Sequence, residues 1–487
     1  MFFKLYSRKN VLILGHTYNP IMVQSLIMNI LTIIWLLNIP IAFIAITRCI
    51  LNNKVFVLKN PIRIYNDPTI IFQITTRSAT DTPVVLRGIR SIMDSSDRLL
   101  YRKYLISVVT EDARDIQNLR DSKCEVVVVD KSFKTSAIKK GRALQYGVVH
   151  RRRCLQNNKS YWIFHLDDES FVTPQTILSL LKFIREGNGV AAEGPIFYPL
   201  KFESANFLTA LAESVRPFSC YDCVSQMTNS AIIKTPPLHM HGSNLLVRSD
   251  VEDSIGWDFG PTLAEDQLFG YKIYQKYGAN SLGWHGGILL EQPPLNIKDH
   301  FMQRRRWVVG SLQNIDKFTS IHKLKVIYKL TTYFLGFAAG ITSIALSLLM
   351  HIPFILTLLA ANGIAGSASI DMMSSTFNKT VDVLYSESIL HLWSGGSSYE
   401  VATASLIFIS SLVWLFSYQL GLFLNLRYSK VKLSKKFLMH IQTLVLCPIL
   451  GLIETFPAFF AIIEYSFRKR STNNESAPIY DFYVINK

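Results

Sequence analysis

Charge is scarce in this chain, and cysteine is scarcer. Only 18% of the 487 residues are charged while 49% are hydrophobic, a high apolar share for a soluble protein and one that leaves room for uncharged runs able to cross a bilayer. The six cysteines (Cys49, Cys124, Cys154, Cys220, Cys223 and Cys447) form no disulfide framework, which fits a reducing compartment for the soluble part. Cys220 and Cys223 make a lone CxxC with no second ligand pair spaced for zinc. Two ordinary thiols in a loop is the simpler reading, and His239 with His241 is no better as a metal pair. Missing too is any RNP, zinc-finger or helix-turn-helix pattern beside the formal net charge of +16. Nucleic acid is therefore set aside, and the positive charge points to an anionic membrane surface or to phosphorylated substrates.

What is present begins with apolar runs. Residues Ile21 to Thr47 are almost all uncharged and aliphatic, enough for a spanning helix that Pro40 kinks without forbidding. Lys4, Arg8 and Lys9 precede the run as in a signal peptide, but it is too long for a signal core and no small-residue cleavage site follows; a retained anchor over 21–50 is expected. The pattern returns at Leu330 to Ala361, Val401 to Leu426 and, more weakly, Phe437 to Ile463, which holds Pro448, Glu454 and Pro457. That last segment, placed at 437–467, is read as a crossing or a re-entrant hairpin, with the hairpin favoured. Loop charge orients the set. Arg427 to Lys436 carries five basic residues and no acid, whereas Asn362 to Glu400 carries one basic residue, Lys379, against four acids. The first belongs in the cytoplasm and the second, 362–400, across the membrane. The soluble region then faces the cytoplasm, as does a tail over 468–487 if the hairpin holds. A short segment over 1–20 precedes the anchor.

Between the apolar runs lies a soluble domain over 60–295. Expected strands are Thr69 to Thr76, Tyr104 to Thr110, Glu125 to Val129 and Tyr161 to Leu166, alternating with helices. That alternation predicts an α/β fold with a largely parallel sheet, which binds ligands beyond the carboxyl ends of its strands. Glu111-Asp112, the basic cluster of Lys131, Lys134, Lys139, Lys140 and Arg142, and Asp167-Asp168-Glu169 all fall at those ends.

Three local patterns carry chemistry. Consecutive acids at Asp167, Asp168 and Glu169 are costly unless something positive joins them. In an extended segment Asp167 and Glu169 point the same way and would share a hard cation, Mn²⁺ or Mg²⁺, with phosphate oxygens completing its shell. The plainer alternative is a solvated loop capping the helix after Pro174. Ala264-Glu265-Asp266 opens a helix, where Asp266 either favours the helix dipole or acts as a general base. Gln303-Arg304-Arg305-Arg306-Trp307 joins guanidinium forks suited to phosphate with a flat indole. A juxtamembrane basic patch would explain its arginines but not its glutamine and tryptophan.

Taken in order, Asp167-x-Glu169, Glu265-Asp266 and Gln303-x-x-Arg306-Trp307 before transmembrane helices resemble the membrane-integrated family 2 glycosyltransferases, and within them the egghead-type β-1,4-mannosyltransferases. Arg142 to Tyr146, Trp162-Ile163 with His165 to Asp167, Asn206-x-Leu208-Thr209, Ile453-Glu454 and Phe482 to Val484 extend the likeness. The resemblance implies a GT-A (Rossmann-like) catalytic domain facing the cytosol, an interfacial amphipathic segment over 296–329, and transmembrane helices over 330–361 and 401–426. It further implies Glu111 or Asp112 at the nucleoside, and Lys139 and Arg142 near the donor phosphates. Asp167 and Glu169 would be at the metal with Asp168 beside the donor, and Asp266 would be the base. Gln303, Arg306 and Trp307 would hold the donor diphosphate, with Gly242, Ser243, Glu265 and Trp307 toward the acceptor. Two departures stand out: Glu111 where that pattern has Asp, and His241 where it has Lys before Gly242-Ser243.

The implied reaction inverts an α-linked nucleotide sugar, GDP-mannose or a UDP-sugar, onto a glycolipid acceptor. A processive polysaccharide synthase is the alternative within the class; it usually carries more transmembrane helices. A non-catalytic membrane binding protein is the alternative outside it, poorly supported because intramembrane charge is nearly limited to Glu454. Asp266→Asn is expected to keep donor binding and lose turnover in a transfer assay; near-normal transfer would contradict the base assignment.

Overall fold

The computed structural model of the chain describes residues 11–13, 16–18, 67–77, 82–155, 161–187, 189–220, 238, 240–338, 341 and 398–471. The expected anchor over 21–50, most of 330–361, nearly all of the loop over 362–400 and the tail beyond Ser471 lie outside these residues, as do His239 and Cys223. The chain divides into two compact units, Met1–Ile44 with Thr332–Leu415 and Ala45–Thr331 with Phe416–Lys487. In the first, a short antiparallel pair joins β1 (Val11–Ile13) to β2 (His16–Tyr18).

The second unit is built on a seven-stranded sheet. Its strands are β3 (Thr69–Thr75), β4 (Tyr104–Thr110), β5 (Glu125–Val128), β6 (Tyr161–Asp167), β7 (Ala191–Glu193), β9 (Leu245–Arg248) and β10 (Leu282–Trp284), ordered β10-β7-β9-β6-β3-β4-β5. A two-stranded parallel pair, β8 (Ile196–Phe197) with β11 (Leu289–Leu290), stands beside it. The sheet is largely parallel, as expected; only β9 runs against its neighbours β6 and β7. The strands are rich in β-branched residues and buried on both faces, which is what a central parallel sheet covered by helices requires. Trp162, Phe164 and Leu166 join one core with Ile70, Phe72, Val85, Ile89 and Leu180. Ile163, one residue out of phase on β6, joins Leu144, Val148, Val247, Trp257 and Phe269 on the other face, following the two-residue alternation of a strand.

Helices α1 (Thr82–Arg98), α2 (Asp115–Asn118), α3 (Lys139–Cys154) and α4 (Pro174–Glu186) follow the first four strands of this sheet in turn. The start of α4 is fixed locally: Thr173 and Thr176 form a reciprocal capping box, Pro174 opens the helix, and Gly187 closes it at φ 64°, the left-handed geometry that glycine adopts without strain. Beyond the sheet come α5 (Phe207–Ala212), α6 (Ser249–Ile255), α7 (Glu265–Tyr277) and α8 (Ile297–Asn314), then a helix over 320–338. That last helix runs through Lys329 and Leu330 without a break.

Two long helices complete the description, α9 (Ser398–Tyr428) and α10 (Leu433–Ser471). The re-entrant hairpin expected in the last apolar segment is corrected: α10 passes through Pro448 and Pro457 without reversing. Leu446, Cys447, Leu450 and Ile453 pack with Ala210, Leu211 and Tyr418, so apolar contacts hold the helix on both sides of Pro448 against the backbone bond that proline removes. Leu433–Phe467 is long and apolar enough to cross a membrane. Close seating of α9 depends on Gly421, where a Cβ would overlap the Ser214 carbonyl.

Beneath the sheet's upper edge lies a buried polar network. Glu252 of α6 pairs with Arg151 of α3, accepts from Trp257 Nε1 at 2.6 Å and meets His165 Nε2 at 2.8 Å. Arg151 also donates to Gln73, whose amide stands 3.5 Å from His165 Nδ1. Burial opposes the charge on Glu252, but Arg151 and His165 outweigh it and hold its carboxyl down at about 2. Glu252→Ala strands the Arg151 charge in the core and should cost about 3–5 kcal/mol, read as a lower unfolding midpoint; a midpoint within error of the parent would contradict the network's role.

Candidate active site

Topology places the site. From β3 the chain steps outward through β4 and β5, then returns to the other side of β3 as β6, making the switch point at which open α/β sheets bind ligands. Thr75 pairs in register with Asp167 there. Because β9 is antiparallel, its start lies at the carboxyl end of β6, with Leu245 opposite His165. Gly242 and Ser243 therefore arrive beside Asp167.

The cation at the centre is Lys140. Its ammonium pairs with the Asp167 carboxylate and donates to the Gly242 carbonyl at 2.9 Å. Burial works against its charge, yet Asp167, Glu265 and Asp266 together raise its pKa above the ordinary lysine value. A Cβ on Gly242 would lie 2.9 Å from Asp266 Oδ2 and 3.0 Å from Lys140 Nζ. No larger residue fits there unless the Asp266 carboxyl or the Lys140 ammonium shifts.

Asp266 sits in the first turn of α7, half-buried, with Oδ1 accepting from the Gln267 amide at 2.8 Å. Burial, then repulsion from Glu265, pushes its pKa up to about 7 against the pull of Lys140. Glu265 is raised too, chiefly by burial. Helix α8 holds this segment in place. A Cβ on Gly310 would lie 2.7 Å from the Ala264 Cβ, Gln313 accepts from the Leu263 amide at 3.0 Å, and Asn314 donates to the Ala264 carbonyl at 2.9 Å.

The expected residues divide. Asp167, Gly242, Glu265 and Asp266 come together, and Arg306 on α8 acts electrostatically on both acids of α7. Glu111 and Asp112 directly follow β4; Glu111 accepts from Arg142 at 3.5 Å and Asp112 binds Arg114 through both carboxylate oxygens. Arg142 also donates to the Asp130 carbonyl at 2.6 Å. Lys139 is exposed, and Lys140 takes the central place instead. Ser243 is buried, donating to Glu291 at 2.7 Å and receiving the Asp167 amide at 3.3 Å; it shapes the site from below. Asp168 is also buried and accepts from Thr76 at 3.3 Å. Gln303 accepts from Arg304, and the Trp307 ring lies under two guanidinium groups, those of Arg216 and Arg304, at 4.3 and 4.4 Å.

The strand alternation expected to align Asp167 with Glu169 does not reach them. Strand β6 ends at Asp167, and the Ser170 amide closes a turn onto the Asp167 carbonyl at 3.1 Å. Asp167 and Glu169 both keep partial exposure, so the donors are hard carboxylate oxygens with room for a ligand. Among the described residues, one group offers three metal-ligand atoms within 4.8 Å of one another: Glu125, His150 and Cys154, on the β5 edge away from these acids. Carboxylate oxygens are the donors that Mn²⁺ or Mg²⁺ prefers, and neither Asp167 nor Glu169 belongs to that group. Lys140 was discoverable from sequence: adjacent lysines at a helix N-terminus oppose the dipole unless acids lie close by.

Fold and site together define an α/β protein with a cluster of carboxylates around one ammonium at the sheet's switch point. The chain belongs to glycosyl transferase family group 2, whose model matches residues 162–429. It is 28% identical over 274 residues to the β-1,4-mannosyltransferase egh of Drosophila melanogaster, covering 55% of this chain and 57% of that protein. The β-1,4-mannosyltransferase bre-3 of Caenorhabditis elegans is 27% identical over 263 residues, 53% of this chain and 55% of that one. The chain thus matches little more than half the length of these curated relatives. Among solved structures, mannosyl-3-phosphoglycerate synthase from Rubrobacter xylanophilus aligns at a TM-score of 0.31 and 13% identity, over 46% of this chain and 67% of that one. The glucosyl-3-phosphoglycerate synthase of Mycobacterium tuberculosis with Mn²⁺ and UDP-glucose aligns at 0.29 and 13%, over 45% and 69%.

A base that must be deprotonated gives activity that rises with pH. With Asp266 near 7, kcat/KM should show an ascending limb close to neutrality, since that ratio reports the free enzyme. A profile flat from pH 5 to 8 would contradict the assignment.

Proposed function

We propose that the chain is an inverting glycosyltransferase of GT-A architecture that moves a sugar from a nucleotide donor onto a glycolipid. Mannose from GDP-mannose, joined in β-1,4 linkage, is the best reading, because the relatives in fly and worm carry β-1,4-mannosyltransferase in their names. The observation that carries the reaction class is Asp266, a half-buried carboxyl poised near neutrality under the opposing pulls of Glu265 and Lys140.

In the proposed step an acceptor hydroxyl attacks the anomeric carbon. The new C–O bond forms as the bond to the donor phosphate breaks, Asp266 takes the hydroxyl proton, and the nucleoside diphosphate departs with the bonding pair. Single displacement inverts an α donor to a β product. Lys140 and Arg306 meet the charge growing on the diphosphate, and Glu111, Asp112 and Arg142 line the donor end. Asp167 and Glu169 would hold Mn²⁺ or Mg²⁺, which when bound supplies Lewis-acid stabilisation of the leaving phosphate. Gly242 and Glu265 face the acceptor side. The exposed apolar residues of α10, Phe437, Leu444, Val445 and Phe467 among them, and the chain's other apolar runs support a multi-pass membrane protein. In this reading its catalytic domain faces the cytoplasm.

The test is a donor screen with purified full-length chain and candidate glycolipids. GDP-mannose with Mn²⁺ should release GDP and yield a lipid-partitioning product carrying one added sugar, and chelator should abolish it. A long polymer made from a UDP-sugar would overturn the single-transfer reading. No nucleotide release from any donor would overturn the enzyme.

A further inference from the structure

Helix α8 carries the Gln303–Trp307 motif, and two of its residues one turn apart, His300 and Arg304, are buried against the same pair of carboxylates. One is Glu213, at the end of α5; the other is Glu454, in the apolar middle of α10. Arg304 Nε donates to Glu454 at 2.8 Å and Nη2 to Glu213 at 2.7 Å, while Nη1 reaches Gln303 Oε1 at 2.6 Å. His300 meets Glu213 through Nδ1 at 3.0 Å and Glu454 through Nε2 at 3.3 Å. The Arg304 guanidinium stands over the Trp307 ring at 4.4 Å. Arg216, over the same ring at 4.3 Å, donates to Tyr198 at 3.2 Å.

A planar fork with each nitrogen committed has little freedom left, so whatever sets Arg304 also sets the Gln303 amide and the Trp307 ring. Glu454 is the first acid in α10, preceded by twenty-one residues of mostly apolar sequence. For stability alone apolar side chains in place of Glu454 and its buried partners together would serve as well, because desolvating a buried pair offsets most of its attraction. The charge is better explained by orientation.

Resting on the glycosyltransferase reading above, we propose that Glu454 is a positioning residue for transfer: through Arg304 it links the seating of α10 to the placement of Gln303 and Trp307. Helix α10 then does more than anchor. Its docking completes the motif of α8.

The test uses full-length protein in lipid nanodiscs, with Trp307 emission isolated as the difference from Trp307→Phe. Glu454→Leu leaves Arg304 and His300 one carboxylate short and should lower the unfolding midpoint; at a temperature where it stays folded it should also shift Trp307 emission and quenching and lower kcat about 10- to 100-fold, the scale on which small misplacements act. Glu454→Gln, which retains an oxygen acceptor for Arg304 Nε, should recover most of both. Wild-type kcat with unchanged Trp307 emission in Glu454→Leu would overturn the proposal, as would activity lost only in step with the midpoint while the emission stays unchanged. Should Glu454→Leu not fold, Arg304→Lys keeps the charge but not the fork; the same emission shift is expected, and the parent's spectrum there would overturn the link. Emission reads the positioning without turnover, so absent transfer in the parent protein would count against the glycosyltransferase reading alone.

Discussion

Three carboxylates, those of Asp167, Glu265 and Asp266, converge on one ammonium, that of Lys140, at the upper edge of the sheet. The other features of the site follow from that imbalance. One cation cannot neutralise three acids in a half-buried cleft, so part of the negative charge is removed by proton uptake, and Asp266 is where burial and the adjacent Glu265 concentrate the effect. The same surplus makes the cleft receptive to further positive charge, from Arg306 on α8 or from a divalent cation. The arrangement costs stability as pH rises, because between about 4 and 7 the folded chain keeps an Asp266 proton that the unfolded chain releases. It persists because the segments bearing the acids are fixed by contacts of their own.

Those contacts come from two directions. From below, Glu252, Arg151, His165 and Gln73 tie α6, α3, β6 and β3 together, so Lys140 and Asp167 stand on elements locked to one another. From the side, α8 presses Gly310 against Ala264 and clamps the entry to α7 with Gln313 and Asn314. The three successive arginines of α8 have separate tasks. Arg304 turns inward to Glu213 and Glu454, Arg305 forks onto Glu464 of α10 at 2.7 and 2.8 Å, and Arg306 acts on the acids of α7. One helix thereby serves both the acids of α7 and the long apolar helix.

Much of this was legible in the sequence because it depends on local pattern. Apolar β-branched runs marked β3 to β6 to within a residue or two, and the acids and bases at their carboxyl ends fell at the switch point. Asp266 was legible as a carboxylate opening a helix. What escaped depends on partners distant in sequence. Lys140 and Lys139 look equivalent until Gly242, a hundred residues on, selects one of them. The spacing of Asp167 and Glu169 suggested a shared face, but a turn begins at Asp167 and cancels strand alternation. Ser243 bonds both Glu291 and the Asp167 amide, partners that its place in the sequence does not disclose. Pro448, Glu454 and Pro457 read as a break in the last apolar segment; packing of Leu446, Leu450 and Ile453 on α5 and α9 keeps that helix continuous, and Glu454 has its partners on α8.

The central claim is that Asp266 is a base whose affinity for protons is set partly by a neighbouring negative charge. Measuring the pH dependence of kcat/KM for Glu265→Gln beside the parent tests it most directly. With the repulsion from Glu265 removed, the Asp266 pKa falls and the ascending limb moves to lower pH. A limb that stays where the parent's lies would contradict the account.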